Sequence, residues 1–210
     1  MVKFRLIQVN IILHKIRMSE GPRIIFVGDS GVGKTTLIYR MKTKTFLSFA
    51  TPTIGTGVTP ITINYQCEND VVKKMNFQLW DTAGQEIYGH VVPIYFRNAK
   101  VAIVCFSVDN LTSLNNVKWW MNEVRSNNED DVPILVVGTK NDIPSDNRIS
   151  QNDVQQFERE NNIKVLYTSS STGENVDELM DTIVAITLET SRHEAETEPL
   201  QPNENGRSCC

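Results

Sequence analysis

The stretch "IIFVGDSGVGKTT", Ile24–Thr36, decides the fold. An apolar run, Ile24–Val27, feeds a turn that holds three glycines and a lysine. Gly28, Gly33, Lys34 and Thr35 satisfy G-x-x-x-x-G-K-[ST], the pattern of a phosphate cradle between a strand and a helix. The glycines let the backbone N–H groups of Asp29, Ser30, Gly31 and Val32 turn inward, and the following helix aims its positive end at the same point. Lys34 can neutralise phosphate charge, and the Thr35 hydroxyl can ligate Mg²⁺, with Thr36 next to it on the cradle. The motif alone selects neither a base nor a reaction, since kinases, ATPases and GTPases share it.

The rest of the chain sets bounds. With 210 residues, 40% of them hydrophobic, it suits one globular domain with tails. A formal net charge of -4 speaks against a general nucleic-acid binder. No apolar run approaches the ~18 residues that span a bilayer. Cys67, Cys105, Cys209 and Cys210 show no metal-site spacing. Cys105 reads as a small core residue, and the set fits a reducing, cytosolic compartment. His14, His90 and His193 are scattered and suggest nothing catalytic.

Strands and helices alternate. Strand-like runs lie at Arg23–Val27, Phe77–Trp80, Val101–Val108, Pro133–Val137 and Lys164–Tyr167. Helical period places Leu111, Leu114, Val117, Met121 and Val124 on one face, and Val176, Leu179, Met180, Ile183 and Val184 on another. Ser150 with Asp153, and Asn175 with Glu178, read as helix caps. These features predict an α/β fold, a mostly parallel sheet covered on both faces. "VTPITINYQCENDVVKKMNFQLW" breaks the rhythm and reads as a hairpin about Glu68-Asn69-Asp70, with Pro60 on an antiparallel edge strand. From about Glu189 the chain turns polar and reads as a disordered tail, 189–210. The first 17 residues hold four Lys/Arg and no acid. Two readings stand for them: translation begins functionally at Met18, or they form a basic surface-binding arm.

Two more motifs complete a site. In "WDTAGQE", Trp80–Glu86, Asp81 can hold the Mg²⁺ shell through water, Gly84 lets a backbone N–H approach the γ-phosphate, and Gln85 can orient an attacking water. In "GTKND", Gly138–Asp142, the Asp142 carboxylate can accept guanine's N1–H and exocyclic amine. Adenine offers no such pair and would leave that carboxylate unsatisfied. Lys140 can lay its apolar stem along the base.

Gly28–Thr36, Thr53-Ile54-Gly55, Trp80–Glu86, Thr139–Asp142 and Ser169–Ser171 stand in the order of the small GTPases, and between Arg23 and about Leu188 the chain resembles the Rab family. The resemblance implies a P-loop NTPase fold with a six-stranded sheet and five helices, in a domain over 18–188. It also implies slow GTP hydrolysis with Mg²⁺, two switch regions, and partners of the GEF, GAP, effector, GDP-dissociation inhibitor and prenylation classes. By the same resemblance Thr53 meets Mg²⁺ and γ-phosphate only in the GTP state. Phe46 packs against the guanine edge, and Ser169 and Ser170 belong to the loop that reads the guanine oxygen.

The chain also departs from that pattern. Thr139 replaces asparagine, Ser171 replaces the lysine of the last base loop, and Ile87 replaces an arginine. The stretch from Thr53 to Trp80 is about five residues longer than usual, either just after Thr53 or at the hairpin tip. The terminal Cys209-Cys210 resembles a double-geranylgeranyl signal, which would supply the two lipid chains that stable anchoring takes. The expectation is a prenylated GTP-dependent switch on the cytoplasmic face of intracellular membranes, acting in vesicle traffic. The rivals are a Rho- or Ras-type signalling GTPase, a metabolic P-loop kinase or ATPase, and a nucleotide-gated scaffold that barely hydrolyses.

Overall fold

A computed structural model describes residues 21–49, 51, 53, 56–66, 71–82, 96–128 and 131–197, with side chains as far as 192. β1 (Arg23–Val27) leads through the glycine turn into α1 (Lys34–Thr43). β2 (Thr56–Gln66) and β3 (Val72–Thr82) form the hairpin. β4 (Val101–Ser107), α2 (Leu111–Ser126), β5 (Ile134–Thr139), a 3-10 turn (Ser145–Asn147), α3 (Gln151–Asn161), β6 (Val165–Tyr167) and α4 (Val176–Thr197) follow. The six strands lie in the order β2-β3-β1-β4-β5-β6, and every pairing is parallel except β2 with β3. The expected α/β sheet with one antiparallel edge strand is what forms, and Pro60 lies on that edge strand as its missing N–H requires. Four α-helices stand among the described residues, against the five that the resemblance implies.

The all-buried strand β4, VAIVCFS, explains the two-sided cover. On one face Leu37, Ile38 and Met41 of α1 and Val176, Leu179 and Ile183 of α4 pack against Ile24, Phe26, Ile103 and Cys105. On the other, Leu114, Val117, Trp120 and Val124 of α2 and Val154 and Phe157 of α3 pack against Ile25, Val27, Ala102 and Val104. Leu111, at the first turn of α2, is exposed instead of joining that face. Cys105 is a fully buried core residue, and burial pushes its thiol up to about 12.

The helix that closes the chain and the caps refine the sequence reading. The helix α4 runs to Thr197, so it takes up the start of the stretch read as a tail from Glu189. Low apolar content ends a core-facing stripe, but it does not end a helix. "ETSRHEAET" holds neither glycine nor proline, and the next proline is Pro199. The β2–β3 ladder pairs without a bulge from Thr56↔Thr82 to Gln66↔Val72. β2 begins at Thr56, close after Thr53, and forms the hairpin with β3. Its turn, 67–70, lies outside the described residues. Ser150 caps α3 as read, accepting from the Asp153 N–H. Asn175, read as a cap for α4, takes φ 54° and donates its side-chain amide to the Tyr167 carbonyl at 2.9 Å.

Candidate functional site

In an open α/β sheet the carboxyl ends of parallel strands outline a crevice where the strand order reverses. Here β1 lies between β3 and β4, and the ends of β1, β3, β5 and β6 bring the three motifs to one rim. The cradle needs its first glycine. Gly28 has φ 137°, and a Cβ there would lie 2.1 Å from the Cys105 carbonyl oxygen, so the loop lies hard against β4. Gly33, at φ 102°, opens α1 with no side-chain cap, and no acidic residue stands in the first turn. In contrast, α2 and α3 are capped by Asn110 and Ser150. The N-terminus of α1 therefore faces the glycine turn.

Lys34 is buried, and its Nζ donates to the carbonyls of Gly28 at 2.6 Å and Asp29 at 2.9 Å. Its charge is thus held over the mouth of the loop. Asp29 contributes backbone only, because its carboxylate turns away. Oδ2 accepts from Asn116 Nδ2 and Oδ1 from Trp120 Nε1, each at 2.8 Å. That orientation removes a negative charge from the place a phosphate would occupy. Ser30 and Gly31 are exposed on the loop, Val32 is buried beneath it, and Thr36 is half-buried behind Thr35.

Thr35, Thr53 and Asp81 converge. The Thr35 hydroxyl donates to Asp81 Oδ2 at 2.6 Å, the two threonine oxygens are 2.7 Å apart, and Thr53 Oγ1 is 3.4 Å from Asp81 Oδ2. Asp81 is 7% exposed, and among the described residues its Oδ1 has no hydrogen-bond partner. Burial raises its pKa above the ordinary carboxylate value, against the Thr35 hydrogen bond, the Lys34 charge and the Thr53 hydrogen bond. Two hydroxyls and a buried, incompletely satisfied carboxylate are the hard oxygen donors that suit Mg²⁺.

The Gly138–Asp142 and Ser169–Ser171 segments lie at the ends of β5 and β6. Thr139 is 2% exposed, and its hydroxyl lies within hydrogen-bonding reach of the Val32 and Phe106 carbonyls, the latter at 2.9 Å. Its one proton is committed to protein acceptors, so Thr139 pins the glycine turn to the end of β5. Lys140 takes φ 60°, a sparsely used conformation for a residue with a side chain, and its ammonium faces Asp109 at 3.8 Å. Asp142 is exposed and accepts from the Ser169 hydroxyl at 2.6 Å. Its Oδ2 carries no partner among the described residues. Ser169 is fully buried, Ser170 half-buried and Ser171 exposed. Phe46, beyond the end of α1, is 47% exposed. Gly84 and Gln85, like Cys209 and Cys210, lie outside the described residues.

Sequence reasoning passed over Asn116, Trp120 and Asp109. The first two stand four positions apart on one helix, a spacing that puts both on one face. Trp120 is hidden in the sequence because it borders an apolar stripe.

The Ras family domain matches residues 23–189. Ras-related protein Rab-26 of Bos taurus is 32% identical over 199 residues, 90% of this chain and 74% of that protein. Ras-related protein RABF2b of Arabidopsis thaliana is 32% identical over 161 residues, 77% of this chain and 78% of that protein. GTP-binding protein ypt3 of Schizosaccharomyces pombe is 34% identical over 162 residues, 77% of this chain and 73% of that protein. The glycine turn, the Asp81 strand end and the Asp142 loop fall within the matched span, and the chain belongs to the Ras family of small GTPases as a divergent relative of the Rab proteins.

Proposed function

We propose that the protein is a Rab-like switch that binds GTP and GDP, hydrolyses GTP slowly, and acts in membrane traffic. One observation carries the reading: Lys34, the Thr35–Thr53–Asp81 cluster and Asp142 lie along the same rim of the sheet. The cradle backbone and Lys34 hold the phosphates. Asp142 accepts the guanine edge, with Ser169 and Ser170 beside it, Lys140 along the base and Phe46 at its rim. Ser171 leaves that pocket with the Lys140 stem on one side and no second stem from the last base loop. Thr35 and Thr53, and Asp81 through water, would hold Mg²⁺, which when bound neutralises charge on the β- and γ-phosphates.

Gln85 orients the attacking water, and Gly84 gives its N–H to the γ-phosphate. Thr53 and Gly84 keep these contacts only while the γ-phosphate is present, so hydrolysis releases both loops and changes the surface a partner meets. GEF, GAP, effector and GDP-dissociation-inhibitor proteins would read or reset that surface. No helix among the described residues is long and apolar enough to cross a membrane. Two prenyl groups on Cys209 and Cys210 would supply the anchor to the cytoplasmic face of internal membranes.

The test is to denature the purified protein and identify the nucleotide it releases. One GDP or GTP per chain is expected. An adenine nucleotide, or none, would overturn the guanine pocket.

A further inference from the structure

The base-reading loop is tied to the phosphate-side helix through one side chain. Arg40 lies in the last turn of α1, and its Nη2 donates to the Thr172 carbonyl at 2.9 Å. Gly173 makes that contact feasible: a Cβ there would lie 2.3 Å from Arg40 Nη2, and its φ is 89°. The loop beneath the guanidinium turns on Ser169. The Thr172 N–H donates to Ser169 Oγ at 3.1 Å, and the Gly173 N–H donates to the Ser169 carbonyl at 2.8 Å. The Ser169 hydroxyl in turn donates to Asp142 Oδ1 at 2.6 Å. One run of hydrogen bonds thus joins α1, the helix that begins with Lys34 and Thr35, to the carboxylate at the base end. At the close of α1, Lys44 forms an ion pair with Asp177 in the first turn of α4 and steadies the same junction.

We propose that Arg40 is a positioning residue for guanine recognition. It holds the Thr172–Gly173 turn so that Ser169 and Asp142 keep their register against the base, and it does not touch the nucleotide. The inference rests on the reading of Asp142 as the guanine acceptor. Its consequence is specific. GDP offers Asp142 two donors, N1–H and the 2-amino group, whereas IDP lacks the amine. A carboxylate held in register gains from the second donor, and a displaced one gains less. Loss of Arg40 therefore reduces discrimination between GDP and IDP as well as affinity. The Thr35–Thr53–Asp81 cluster stands at the opposite end of α1, so the effect of Mg²⁺ on nucleotide release stays as it was.

The experiment uses the full chain loaded with ribose-labelled fluorescent GDP or IDP and follows release into excess unlabelled nucleotide, with and without a chelator. Wild type, Arg40→Met, Arg40→Lys and Asp142→Asn are compared. Arg40→Met should release GDP about five times faster, a size that fits one charge-assisted bond at a partly exposed site. IDP release should change by clearly less, and the acceleration by chelator should be unaltered. Arg40→Lys keeps the charge without the fork and should show a smaller change in the same direction; it also serves as the test should Arg40→Met not fold. Equal acceleration of GDP and IDP, or no acceleration of either, overturns the proposal. Asp142→Asn separates the two levels. If it retains the wild-type preference for GDP, the guanine-pocket reading fails and the proposal with it. If it loses that preference while Arg40→Met keeps it, only the role of Arg40 fails.

Discussion

Replacing Asp29 by alanine should destabilise the protein through a residue on another element. The Asp29 carboxylate accepts from Asn116 and Trp120, each at 2.8 Å. Trp120 is 1% exposed, so its indole N–H would be left buried without an acceptor, whereas Asn116 is half-buried and can turn to water. A hydrogen bond to a charged group contributes about 1.5–3 kcal/mol, and an orphaned buried donor costs about 1–3 kcal/mol. Asp29→Ala should then cost about 2–3 kcal/mol, which for a chain of this size lowers Tm by about 5–10 °C.

Trp120→Phe removes the orphan donor, so the double variant should lose about 1–2 kcal/mol less than the sum of the two single variants. Thermal unfolding at fixed, saturating GDP and Mg²⁺ measures this, because bound ligand itself shifts apparent stability. Additivity within about 0.5 kcal/mol would refute the coupling of cradle and helix. A second readout is nucleotide release. The Asp29 carbonyl accepts from Lys34 Nζ at 2.9 Å, so loosening Asp29 should also speed release.

Gly28→Ala should abolish stable nucleotide binding, because its Cβ would overlap the Cys105 carbonyl at 2.1 Å; equilibrium titration with labelled GDP checks it, and near-normal affinity would contradict the packing argument. Chelating Mg²⁺ should accelerate nucleotide release by about tenfold or more, a change of roughly 1.4 kcal/mol. Thr35→Ala should release fast with or without chelator, and a full chelator response in that variant would remove Thr35 from the metal site. Gln85→Leu should stay loaded with GTP in a single-turnover assay; wild-type phosphate release would end the role given to Gln85.

The parts of this protein that were legible in its sequence are the ones whose cause is local. Ile24–Thr36 names a strand, a turn and a helix within a few consecutive residues, and the backbone follows from them. Pro60 announces an edge strand because a residue without an N–H cannot lie between two ladders. The joints between motifs were not legible, because each depends on which residue of ordinary type a distant element happens to present. Asp29 finds its partners 87 and 91 residues away. Arg40 reaches a carbonyl 132 residues on. Thr139 could be read as a donor, but its burial between the Val32 and Phe106 carbonyls decides what it donates to. The helix α4 continues to Thr197, past the polar turn at Glu189, since apolar periodicity reports where a helix is covered and says little about where its backbone stops. The motifs therefore define which groups converge on one rim of the sheet. Asp29, Arg40 and Thr139 tie those groups to distant elements, and substitutions at these three positions should tune binding and release.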